Sequence, residues 1–179
     1  MVNLDGDPAH LGPACDPLVA TRRTGTHCMI ALPLPRAQLA DCVWLPRMAA
    51  KIRGIARGAL PAEYVARFCD RDSVDEHFLR FFGISKEEMI DAVNRLDSDD
   101  GIARWFRARP GMDAARIAQW NEFAEDLGKP GFPMATRFLE VRPTTYAHLD
   151  PASVHSIFDL LEADEKNAAI RPPTEMTSR

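Results

Sequence analysis

Apolar positions recur at helical spacing through the middle of the chain. Leu45, Met48, Ile52 and Ile55 fall on one face of a helix running from 46 to about 58. Pro46 suits its first position, where a missing N–H is no loss. A short helix over 61–68 comes next. Asp75, then Phe78, Leu79 and Phe82, then Gly83 read as a cap, an apolar turn and a C-terminal glycine. Ser85-Lys86-Glu87-Glu88 is a capping box ahead of the stripe Met89, Ala92, Val93 and Leu96. Asp97 or Ser98 caps a helix that carries Ile102, Trp105 and Phe106 and stops before Pro110. Asp113 caps another, with Ile117, Trp120, Ala124 and Leu127 as its stripe and Gly128 as its end. Residues 134–141 suit a helix or a strand equally. Asp150-Pro151 opens a last helix through Val154, Ile157, Phe158 and Leu161. Nothing alternates as strands do, and no internal repeat is present. The pattern predicts an all-α fold, one multi-helix domain over 35–163.

The ends read differently. Residues 1–34 hold Pro8, Pro13, Pro17 and Pro33 with Gly6, Gly12 and Gly25 between them, and no helical period survives. They form an irregular arm, either disordered or strapped across the domain. Residues 164–179, with Arg171-Pro172-Pro173, read as a flexible tail. Apolar residues make up 46% and charged residues 27%, enough for a core without staples. Four cysteines without a C-x-x-C pair exclude a dense disulfide framework and a zinc ribbon. A net charge of −4 disfavours a generally cationic nucleic-acid binder. No run approaches the ~20 apolar residues of a membrane span. Residues 1–20 lack a basic start leading into an apolar run, and the segment after Arg22-Arg23 is too short and proline-rich for a twin-arginine signal. The expected setting is the cytoplasm, with Cys15, Cys28, Cys42 and Cys69 reduced.

Several runs carry a resemblance. Trp44-Leu45-Pro46-Arg47-Met48-Ala49-Ala50-Lys51 comes first. After a spacer containing Tyr64 comes Asp75-Glu76-His77-Phe78-Leu79-Arg80-Phe81-Phe82-Gly83-Ile84. An acid-rich turn then leads into Ile102-Ala103-Arg104-Trp105, and later Trp120-Asn121. This order resembles a family of small bacterial proteins known as domain-of-unknown-function family 5069, over about residues 40–140. Where that family tends to show a cysteine-proline pair, this chain has Asp72-Ser73-Val74. A role tied to that cysteine does not transfer. The resemblance implies a fold and a set of marked positions, and no chemistry.

Candidate chemistry centres on the first helix. Arg47, Lys51, Arg53 and Arg57 lie within eleven residues, and Arg47 and Lys51 share a face. The resemblance sets these two above the others. Gly54 and Gly58 on the same helix cost about 1 kcal/mol each against alanine. Close backbone packing or a ligand must offset that cost. One reading is a pocket in which Arg47 and Lys51 hold a carboxylate or phosphate, walled by Trp105 or Trp120. Tyr64, Asp75 and His77 would supply proton transfer, Asp75 orienting the imidazole. The plainer readings are a solvated basic face, an N-cap aspartate, an exposed histidine and core tryptophans. Asp70, Asp72, Asp75 and Glu76 lack the spacing of a calcium loop. His27-Cys28 sits in the arm, and His148 and His155 are too far apart for a tight zinc chelate. No motif calls for a metal or cofactor.

Two functions compete. One is a metal-free enzyme or binding protein for a small anionic molecule, aromatic in one version of the reading. The other is a non-catalytic docking module that uses the basic helix and the loose ends. Residues 44–71 hold six basic side chains against two acidic, and residues 85–100 hold two against six. That split makes a homo-oligomer assembled head to tail a further option. The basic stretch has few interleaved aromatics, so neither nucleic acid nor membrane is an expected partner.

Overall fold

The computed structural model describes residues 30–170. The described chain is all-α apart from one small hairpin. Strand β1 (Gln38–Leu39) pairs antiparallel with β2 (Cys42–Val43), Gln38 opposite Val43. Eight α-helices come after it: α1 (Leu45–Ala56), α2 (Ala62–Arg67), α3 (Val74–Phe82), α4 (Lys86–Arg95), α5 (Asp99–Arg107), α6 (Ala114–Asp126), α7 (Ala135–Val141) and α8 (Ile157–Ile170). Among the described residues no helix is long and apolar enough to cross a membrane.

Local chemistry sets most of these boundaries. The Ser85, Ser98 and Asp113 side chains accept from the N–H groups of Glu88, Gly101 and Arg116 at 3.1, 3.1 and 2.8 Å. Ser98, not Asp97, is therefore the cap of α5. Helix α1 ends in a Schellman motif. Gly58 turns into the left-handed region (φ 62°), its N–H reaches Ile55 O at 3.1 Å, and the Ala59 N–H reaches Gly54 O at 2.8 Å. Gly83 closes α3 in the same way.

Three boundaries differ from the sequence expectation. Asp75 is not the cap of α3. The Ser73 hydroxyl caps it, accepting from Glu76 N at 3.1 Å, and Asp75 turns inward. Asp150-Pro151 starts only a 3₁₀ turn, Pro151–Ser153, and α8 begins afresh at Ile157 behind Ser156, which accepts from Asp159 N. Residues 134–141 resolve as helix, and α8 runs to Ile170, beyond the domain end expected at 163.

The hairpin was not expected. Its two turn residues, Ala40 and Asp41, have φ of 56° and 63°, as a two-residue type I′ turn requires. Asn121 of α6 holds it from outside. Its side-chain nitrogen donates to Asp41 O at 2.8 Å, and its oxygen accepts from Val43 N at 3.0 Å.

The core is one continuous cluster. Its centre is aromatic. Phe78 meets Trp120 edge-on at 5.2 Å and stacks on Phe106 at 6.1 Å, with Phe82 between them. Residues 30–34 lie along α1, and the Ile30 N–H donates to Ala59 O. That part of the arm is a strap. Residues 1–29, which include Cys15, Arg22-Arg23 and His27-Cys28, lie outside the described residues, as do 171–179.

Candidate functional site

The strap explains the odd glycine on α1. A Cβ at Gly54 would sit 3.2 Å from Ile30 Cγ2 and 3.4 Å from Leu60 Cδ1. Close packing thus offsets the cost of Gly54, and the helix terminus offsets that of Gly58. A ligand is not required for either.

Arg47 is buried, 1% exposed, and is not among the residues that line the cavity beside Lys51. Its guanidinium donates to Pro33 O at 2.7 Å and pairs with Glu165 on α8. It also lies over the Trp44 ring. One guanidinium thus fastens the strap and the last helix to α1. Arg36, which sequence reasoning passed over, does similar work nearby. It bonds Glu125 on α6 and Asp159 on α8 at 2.6 and 2.8 Å. These acids raise the guanidinium well above its ordinary range against the opposing effect of burial.

Lys51, one turn after Arg47, is buried in a different setting. Its Nζ donates to both Asp75 oxygens at 2.9 Å and lies 4.7 Å above the Trp44 ring centre. The Trp44 indole N–H donates to Asp75 Oδ1 at 2.9 Å, and the Cys69 amide reaches Oδ2 at 3.5 Å. Asp75, 2% exposed, is therefore held by three groups. Trp44 meets it by adopting φ 71°, a conformation uncommon for a bulky residue. Lys51 has three N–H donors, of which two face Asp75.

This ion pair forms one wall of a cavity of about 410 Å³. Helix α1 and its N-cap contribute Lys51 and Trp44, and α2 contributes Glu63, Tyr64 and Arg67. The start of α3 adds Ser73, Val74 and Asp75. The far side is built by Met134, Arg137 and Val141, by Thr145 and Tyr146, and by Ile157, Leu160, Leu161 and Asp164 of α8. Burial raises both phenols. Asp164 raises them further, while Arg47 opposes the shift at Tyr64 and Arg67 and Arg137 oppose it at Tyr146. Both are neutral donors around neutral pH.

The structure brings three expected site residues, Lys51, Tyr64 and Asp75, to one cavity and leaves four outside it. His77 is buried but does not meet Asp75. Its Nδ1 accepts from Arg80 at 2.7 Å, which leaves Nε2 to donate to Asp72 at 2.9 Å. Asp72, not Asp75, orients the ring. Trp120 is wholly buried in the aromatic core, its indole N–H donating to Val43 O at 3.1 Å. Trp105 lies under Arg109, away from the cavity. Sequence reasoning missed Arg67, Arg137, Tyr146 and Asp164. Among the described residues no group of three His, Cys, Asp or Glu side chains is placed to hold a metal.

Of the four basic side chains on and beside α1, Arg47 and Lys51 are buried, Arg53 pairs with Asp99 at 2.6 Å, and Arg57 is exposed. The basic and acidic segments therefore meet within one chain, where α1 packs against α4.

A family model described as Domain of unknown function (DUF5069) matches residues 32–167, and the chain belongs to that family. The match covers most of the strap, the hairpin and all but the end of α8. No curated protein and no solved structure matches the chain.

Proposed function

We propose that this family member binds a small carboxylate- or phosphate-bearing metabolite in the cavity between α1, α2, α7 and α8. The observation that carries the reading is a pair of arginines. Arg67 and Arg137 line the cavity and form no ion pair among the described residues. The remaining cation in the lining, Lys51, already has a carboxylate. Arginine suits two-point recognition of carboxylate and phosphate. Val74, Val141, Leu160 and Leu161 give an apolar surface for the rest of the ligand, and the volume lies in the range of small-molecule sites.

The same cavity offers proton donors. Tyr64 and Tyr146 are held protonated, and a reaction would draw on their hydroxyls. Lys51 and Asp75 add a polar wall to the same cavity. A cytoplasmic location goes with this reading, and Cys42 and Cys69 form no disulfide among the described residues. Burial pushes both thiols up, Cys69 to about 12.

Thermal-shift measurements against a panel of carboxylates and phosphates test the proposal. Some member should stabilise the wild type, and Arg67→Ala and Arg137→Ala should each weaken that response about tenfold or more, matching the ~1.5–3 kcal/mol of a charged hydrogen bond. Arg47→Ala should instead lower the unliganded melting temperature. Equal responses from wild type and both cavity variants would remove the anion site.

A further inference from the structure

The cavity is not simply basic. Three cations line it, Lys51, Arg67 and Arg137, and so do three carboxylates, Glu63, Asp75 and Asp164. Lys51 and Asp75 satisfy each other at 2.9 Å. Two arginines and two acids remain. Glu63 and Arg67 lie one turn apart on α2, a spacing that allows an ion pair, yet they form none. Among the described residues Asp164 forms one ion pair, from Oδ1 to His148 at 2.9 Å, and His148 is not part of the cavity wall. Among the described residues the site therefore presents Arg67, Arg137 and Glu63 without an ion partner, and Asp164 with a histidine alone, around an apolar interior.

A simple anion would answer the arginines and leave two carboxylates facing it, which is unfavourable in a partly enclosed space. A ligand carrying an ammonium as well as a carboxylate answers both. From this arrangement, and resting on the binding reading above, we infer that the natural ligand is a zwitterion, an amino-carboxylate with an apolar body. Its carboxylate is held by Arg67 and Arg137. Its ammonium is held by Asp164, assisted by Glu63 and by the faces of Tyr64 and Tyr146, whose rings attract a cation. The apolar body lies on Val141, Leu160 and Leu161. The electrostatic surroundings of the two phenols agree. Each phenol lies within reach of charges of both signs, Arg47 with Glu165, Asp164 and Glu63 at Tyr64, and Asp164 with Arg67 and Arg137 at Tyr146.

Calorimetry with matched probes decides the matter. L-phenylalanine and 6-aminohexanoate each carry both charges, at short and long separation. 3-Phenylpropionate and hexanoate lack the amine, and phenethylamine and hexylamine lack the carboxylate. At least one of the two zwitterions should bind at least tenfold more tightly than either of its truncated counterparts. Asp164→Asn should remove that advantage, weakening the zwitterions while the simple acids, relieved of a facing carboxylate, bind as well as before or better. Glu63→Gln, on an exposed residue, is the second variant should the first perturb folding, and it should reduce the same advantage. If the simple acids bind as well as the zwitterions and Asp164→Asn changes nothing, the zwitterion is overturned while the anion site stands. If the amines bind best, both readings fail. If no probe binds although the carboxylate and phosphate panel does, the amino-carboxylate assignment alone is lost.

Discussion

Asp75 shows how much one side chain can organise. Its two oxygens take the Lys51 ammonium, the Trp44 indole N–H and the Cys69 amide. Removing one member of a buried ion pair leaves the other desolvated and uncompensated, at about 3–5 kcal/mol. Asp75→Ala should therefore lower unfolding stability by roughly that amount. Asp75→Asn combined with Lys51→Met removes both charges and keeps an acceptor for the indole. The double variant should be more stable than Asp75→Ala, and urea denaturation of the two proteins measures the difference. Equal losses would mean that the pair is not coupled. The same residue shows why a motif is an incomplete guide. Asp75 at a helix start looks like a cap, and only the hydroxyl two positions earlier, which takes that role, frees it to turn inward.

At the scale of elements, local features were the legible ones. Ser85 and Asp113 as caps, Gly83 and Gly58 as C-terminal turns, and the stripe Ile117, Trp120, Ala124 and Leu127 each depend on neighbours a few residues away. The hairpin was hidden because Ala40-Asp41 stands where an Asn-Gly pair would have announced a type I′ turn. Asn121, far along the chain, supplies what the turn residues do not. Helix α8 is likewise held by distant partners, among them Arg36. Burial works to raise the Asp159 carboxyl, but the His155 amide and Arg36 outweigh it and hold it below its ordinary value. A carboxylate depressed by folding adds stability that is present above its unfolded pKa of about 3.9 and is lost as pH falls through the folded value. Asp159→Asn should thus destabilise the protein at neutral pH. The gap to wild type should close as pH falls below about 4. A gap that stays constant down to acid unfolding would show that the charge of Asp159 contributes nothing.

For the whole molecule, the cavity was the least legible feature, because five separate stretches of chain build it. Lys51, Tyr64 and Asp75 were visible as polar residues on elements that need only apolar ones. Arg67, Arg137, Tyr146 and Asp164 look like ordinary surface residues until α2, α7 and α8 are brought together. That assembly has a spectroscopic consequence. The chain contains two tyrosines, Tyr64 and Tyr146, and both line the cavity. Ultraviolet titration of phenolate therefore reports on the cavity alone. A free phenol ionises near about 10. Burial raises both groups above their ordinary value in the fold, so both transitions should come later in native protein and return to about 10 in concentrated guanidinium. The unfolded chain then ionises first. Stability tied to these phenols should be complete below about 10 and fall as pH rises beyond it. Tyr64→Phe should leave a single delayed transition, that of Tyr146. If either phenol of the native protein titrates at the ordinary value, that side of the cavity stands open to water, and the enclosure on which binding depends is missing there.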